Sequence, residues 1–185
     1  MKLHYAGKYS GNLESLPKRE HHENSVQFKE PDDMKKFAVI INILGIIITA
    51  VLVFTVTYIS RENLSFTGII IALLSLIPHE FLHALCFKKD VYMYNNLKHG
   101  MMFVVGTEDM SKSHFIFMSL CPNIVFGFIP FAIFLIFPNL IFFGTLGALA
   151  IGMGAGDYLN VFYTLTQVPK GAKVYNSGFH SYWYK

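Results

Sequence analysis

FTGIIIALLSLIPHEFLHALCF, residues 66–87, is the stretch on which the architecture turns. A helix needs about 20 apolar residues to cross a bilayer, and this run is long enough. Yet it carries Pro78, His79, Glu80 and His83. An ionisable group at mid-bilayer costs about 2.5–3.5 kcal/mol on insertion scales, so such residues usually mark function. Positions i and i+4 share a helix face. His79 and His83 can therefore reach one metal ion, which is the geometry behind the H-E-x-x-H pattern. Glu80, beside the first histidine, is placed to take a proton from a metal-activated water. Packing by neighbouring helices would explain the three polar groups one at a time; a metal explains them together.

Three more apolar runs lie outward from this one: Phe37–Ile59, Phe115–Phe137 and Leu140–Thr166. The chain is 53% hydrophobic and 15% charged, against about 25% charged in a soluble domain. Four runs of this length predict an all-α membrane protein with four transmembrane helices. The expected organisation is a polar arm over 1–36, a transmembrane domain over 37–166 and a tail over 167–185. In the polar 88–114 segment, β-prone Val91–Tyr94 and Met101–Val105 flank Asn95-Asn96 and can form a short hairpin. Such a hairpin can take an extended peptide by strand addition, or lie against the bilayer. The first apolar run begins only at Phe37, so no secretory signal peptide is expected. Cys86 and Cys121 fall in apolar stretches and suggest no disulfide framework.

Charge placement gives an orientation. The arm holds Lys2, Lys8, Lys18, Arg19, Lys29, Lys35 and Lys36, and the 88–114 segment holds Lys88, Lys89, Lys98 and Lys112. The tail holds Lys170, Lys173 and Lys185, whereas the 60–65 link has only Arg61 and the turn at Pro138-Asn139 has no basic residue. By the positive-inside rule both termini and the 88–114 segment are expected in the cytoplasm.

A catalytic zinc site takes three protein ligands. Asp157 is the acidic residue of the fourth run. It lies nine residues before Thr166, as His79 lies eight before Phe87. At about 1.5 Å per residue, both sit roughly 12–14 Å from the cytoplasmic side. Asp157, Asn160 and Thr164 also share a face by spacing. In the third run, Asn123 of Cys121-Pro122-Asn123 is level with His79. Pro122 loosens the backbone hydrogen bonding there. Asn123 can donate to a substrate oxyanion or simply bond between helices. Gly144, Ala148, Gly152 and Gly156 form a stripe for close helix packing, expected to bring Asp157 to the histidines. Pro78 can kink the second run. His21, His22, His99, His114 and His180 lie in polar segments and read as surface residues, and Cys86 as an apolar filler.

His79-Glu80-Phe81-Leu82-His83-Ala84 within a span, short strands in the next polar segment, Pro122-Asn123 and Gly156-Asp157 together resemble the small bacterial putative zincin peptidase family. That family is similar in layout to site-2 intramembrane metalloproteases. The resemblance implies a Zn2+-dependent peptidase hydrolysing bonds within or near the membrane. His79, His83 and Asp157 would be its metal ligands and Glu80 and Asn123 its catalytic groups. In site-2 proteases the acidic ligand precedes a glycine; here Gly156 precedes Asp157 and Tyr158 follows it. The expected partners are membrane lipid and a peptide or membrane-protein substrate, with no nucleic acid. A non-enzymatic metal carrier using the same ligands is the rival, since it has no need of Glu80. A catalytically silent membrane scaffold is the other.

Overall fold

The computed structural model describes residues 2–96 and 101–185. Lys98 and His99 lie outside them. The chain divides into two compact units. One comprises Met1–Glu30, Glu80–Ser119 and Asn160–Lys185, and the other Pro31–His79 and Leu120–Leu159.

The Pro31–His79/Leu120–Leu159 unit is helical. It opens with α1 (Met34–Ser60), whose first turn is capped by Asp33: its side chain accepts from Lys35 N at 2.8 Å. At the far end Arg61 adopts a left-handed conformation (φ 59°), and its N–H returns to Thr57 O. α2 (Phe66–Leu74) starts at Ser65, whose hydroxyl accepts from Gly68 N. It runs into α3 (Leu76–Leu85). α4 (Lys112–Asn123) passes through a π-helical turn, Ile124–Phe128, into α5 (Ile129–Ile136). α6 (Ile141–Met153) and α7 (Ala155–Gln167) follow; α3 from Glu80, α4 up to Ser119 and α7 from Asn160 belong to the other unit.

Within this unit α1, α2 and α5 all pack on α6, and small residues set the approach. A Cβ on Gly45 of α1 would lie 2.8 Å from Gly152 O, and one on Gly152 would strike the Thr49 hydroxyl. Gly68 of α2 sits on Thr145, where a Cβ would come within 2.9 Å. The Ser65 N–H donates to the Thr145 hydroxyl at the same crossing (3.0 Å). The stripe on α6 is thus a packing device, as its spacing implied. It grips Thr49 through Gly152 and the Phe134 ring through Gly144, not the helix that carries the histidines.

The outside of the unit is greasy: Val39, Ile43, Ile46, Ile47, Val51 and Phe54 of α1 are all exposed. Lys35–Ser60 and Lys112–Ile136 are each long and apolar enough to cross a membrane. Two bent pairs also qualify when each is taken as one span. α2 meets α3 at 41°, and α6 meets α7 at 54°. The first bend lies beside Pro78, which has no N–H to offer Leu74 O.

The other unit overturns the all-α expectation. It is built on two β-sheets, so the fold is mixed α/β. In the first sheet β1 (Leu3–Lys8) runs parallel to β3 (Val91–Asn96), which pairs antiparallel with β4 (Met101–Gly106). The register places Val91 opposite Gly106 and Tyr94 opposite Phe103. The two expected strands therefore pair, but Asn95 and Asn96, expected as the turn between them, lie within β3 opposite Met102 and Met101; β4 stands at the edge of its sheet.

The second sheet has the order β2-β7-β6-β5, from Val26–Gln27, His180–Tyr184, Lys173–Ser177 and Met110–Ser111. Its strands come from segments that hydropathy marks only as polar. Phe28, Phe87, Val91, Phe115, Met118, Val168 and Val174 form the core of this unit. Two polar anchors hold its edges. Glu108, buried, accepts from the N–H groups of Lys88 (2.9 Å) and Lys89 (2.6 Å). Lys112 Nζ donates to Val168 O (2.6 Å) and Leu165 O (3.2 Å), closing the C-terminal end of α7.

Candidate metal centre

α3 carries His79, Glu80 and His83 within little more than one turn. The ligand-type atoms of these three lie within 4.8 Å of one another. Among the described residues, they are the group of histidine, cysteine and acidic side chains close enough to hold an ion. Glu80 and His83 are buried, and His79 is 15% exposed at its side chain.

His79 Nε2 lies 3.2 Å from Asp157 Oδ2. Asp157 belongs to the first turn of α7, just past the bend at Gly154. The residue chosen from sequence by depth is thus the one brought to the first histidine. Two ligands 2.0–2.1 Å from a tetrahedral ion stand about 3.3 Å apart. The observed 3.2 Å is a hydrogen-bond or ion-pair contact that is also close to that spacing.

His83 Nδ1 lies 2.8 Å from Met118 O. A carbonyl can only accept, so Nδ1 carries a proton, and in the neutral ring Nε2 keeps the lone pair. This is the tautomer a metal ligand needs, held by a carbonyl in the way metal-bound histidines commonly are. The carbonyl's availability follows from the sequence of α4. In a helix Met118 O would accept from the N–H of residue 122. That residue is Pro122, which has none. Pro122 does loosen a backbone bond, and the acceptor it releases goes to His83.

Asn123 is almost fully buried (1%). Its Nδ2 donates to Asp157 Oδ2 at 2.7 Å, and its Oδ1 accepts from the Tyr158 hydroxyl at 3.2 Å. Gly154 makes room for it: a Cβ there would fall on the Asn123 side-chain oxygen. The π-helical turn begins immediately after Asn123. Such turns frequently sit at functional sites.

Several residues fall elsewhere. Thr164 donates to Asn160 O (2.6 Å) within its own helix, so the shared face of Asp157, Asn160 and Thr164 ends in a local bond. Cys86 lies 3.4 Å from Leu82 O and packs against the core of the β-containing unit, as a filler does. His21 contacts Tyr175 and His180 contacts Glu30. Met118, Gly154 and Tyr158 were missed in the sequence. The proline four residues beyond Met118 is the one signal that pointed toward it.

Two imidazole nitrogens and a carboxylate oxygen are donors that suit zinc. That donor chemistry fits the ion; the atoms that converge are those of His79, Glu80 and His83, and Asp157 adjoins this cluster through His79. Comparison with known sequences agrees. Residues 72–173 match a family described as putative zincin peptidase, a stretch covering more than half of the chain and including His79, Glu80, His83, Asn123 and Asp157. No curated protein and no solved structure matches. The chain belongs to this putative zincin peptidase family.

Proposed function

We propose that the chain is a zinc metallopeptidase of the cell membrane that hydrolyses peptide bonds within or near the bilayer, in the manner of site-2 proteases. His79, His83 and Asp157 hold the metal. The observation that carries the reading is the 3.2 Å approach of Asp157 to His79. It joins an acid and an H-E-x-x-H histidine that are 78 positions apart.

Bound there, zinc would lower the pKa of a water toward ~7 and polarise the scissile carbonyl. Glu80 takes one proton from the attacking water as its oxygen bonds to the carbonyl carbon. When the C–N bond breaks, Glu80 returns that proton to the leaving amine nitrogen. A helical substrate must unwind first, because its carbonyls are otherwise hydrogen-bonded. The protein purified from cells is expected to carry about one zinc per chain, the one ion a three-ligand site holds. Metal analysis checks this, and a protein that neither retains zinc nor takes it up from solution would sink the proposal.

Both termini and the 88–114 segment face the cytoplasm in this reading. The positive-inside pattern supports it, and so do the strand pairings. β1 of the arm bonds to β3, β2 to β7 of the tail, and β5 to β6. Paired strands lie on one side of a bilayer, so a chain that leaves through α1 returns before β3. Reporter fusions after Lys185 and within 60–65 are expected to report opposite sides. Identical signals would reject this topology.

A further inference from the structure

We infer that the Pro122-Asn123 pair is the orienting element of the metal centre: Pro122 sets His83 by releasing the Met118 carbonyl, and Asn123 sets Asp157 by gripping its carboxylate. The inference rests on the zinc reading above and deepens it. It gives both residues a positioning role, and it replaces the oxyanion-donor role that the depth of Asn123 suggested.

The His83 side of the pair follows from backbone chemistry. Proline inside a helix removes the N–H to the carbonyl four residues back, and its ring pushes that carbonyl outward. Met118 O is this carbonyl, and His83 Nδ1 meets it at 2.8 Å. An ordinary residue at 122 would offer an N–H to the same oxygen and compete with the imidazole. The cost of a proline in a helix interior is thereby tied to a fixed ring orientation and a fixed tautomer.

On the Asp157 side, an amide donates to a carboxylate. Asn123 Nδ2 lies 2.7 Å from Asp157 Oδ2, the oxygen that is also 3.2 Å from His79 Nε2. A carboxylate oxygen has two lone pairs. One bond from Asn123 leaves the other directed toward the neighbourhood of His79. The amide cannot turn over without loss, because its Oδ1 accepts from Tyr158 and its position is framed by Gly154. Burial makes each of these bonds costly to leave unmade.

The full-length chain in detergent is titrated with zinc against a chromophoric chelator, and the melting temperature of the metal-free protein is recorded beside it. Pro122→Ala and Asn123→Ala are each expected to weaken zinc binding about 10–100-fold, as loss of an outer-shell partner does. Alanine is the better helix former, so metal-free Pro122→Ala is expected to melt no lower than wild type. That combination, a sounder helix with a weaker metal site, is one a purely structural proline cannot give. Tyr158→Phe, which keeps the ring, is expected to lose about threefold. It carries the Asn123 side of the test if Asn123→Ala does not fold.

Wild-type zinc affinity in Pro122→Ala, or a fall in its metal-free melting temperature that matches its loss of zinc, would overturn the inference while the zinc reading stood. Unchanged affinity in Asn123→Ala with slower cleavage would return that residue to the oxyanion role. A wild-type chain that binds no zinc would remove both the inference and the reading beneath it.

Discussion

Glu80→Gln is expected to bind zinc as the wild type does and to lose about 10²–10⁴-fold in cleavage, the usual contribution of a general base. Glutamine keeps the shape and hydrogen-bonding capacity of the side chain, but it cannot take the proton from water. Glu80 is buried and follows His79 directly on α3, on the same stretch of helix as both histidines. Volume is preserved in the substitution, so the packing of α3 should stand. The substrate is found by comparing membranes of cells carrying wild type and Glu80→Gln. A membrane protein should appear cut near its cytoplasmic side in the first and intact in the second. Products forming at the wild-type rate in Glu80→Gln would end the proposed mechanism. Loss of zinc from this variant would make Glu80 a ligand or a structural group, and the carrier reading would then gain ground.

The His79, Glu80 and His83 cluster was legible in the sequence because helical geometry is local. The i, i+4 separation of His79 and His83 fixes a shared face wherever the helix sits. The match of Asp157 to His79 needed one further step, depth counted from the run ends, and hydropathy supplies those ends. The β-sheets were less legible for the opposite reason. β1 pairs with β3 across more than eighty residues, and β2 of two residues finds its partner in the C-terminal tail. Such pairings leave little local pattern: in Lys173–Ser177 the consecutive Val174 and Tyr175 are both buried among polar neighbours, with no alternation to read. Hydropathy reads that as a tail. The one hairpin found in advance, β3–β4, has its strands adjacent in sequence and rich in Val, Tyr and Phe.

Hydrogen-bond partners were the least legible part of the site. Asn123 stood at the right depth, but depth does not say which neighbour an amide will choose. The choice depends on the bend at Gly154, which turns α7 by 54° from α6 and places Asp157 in a first helical turn. A negative side chain in that turn also suits the helix dipole. The bend and the room for Asn123 both depend on Gly154, whose role emerges only when α4 and α6 are seen together.

His79→Ala and His83→Ala are expected to abolish zinc binding, and Asp157→Ala to weaken it well beyond the ~10–100-fold cost of an outer-shell change. In the proposed site each removes one of three protein donors, and two donors do not make a zinc site of this kind. His83→Ala also leaves the Met118 carbonyl without its histidine, whereas His79→Ala leaves Asp157 still held by Asn123. The His79 variant is therefore the cleaner measure of a lost ligand. Glu108→Ala separates metal binding from general damage. Glu108 is a buried carboxylate too, but its Oε2 accepts from the N–H groups of Lys88 and Lys89, just beyond the end of α3. Losing hydrogen bonds to a charged group costs about 1.5–3 kcal/mol each, so Glu108→Ala should lower the melting temperature while keeping zinc. Equilibrium dialysis of the four variants, with thermal melts of each, reads both effects. Full zinc affinity in Asp157→Ala beside lost affinity in Glu108→Ala would move the third ligand from α7 to the segment after β4.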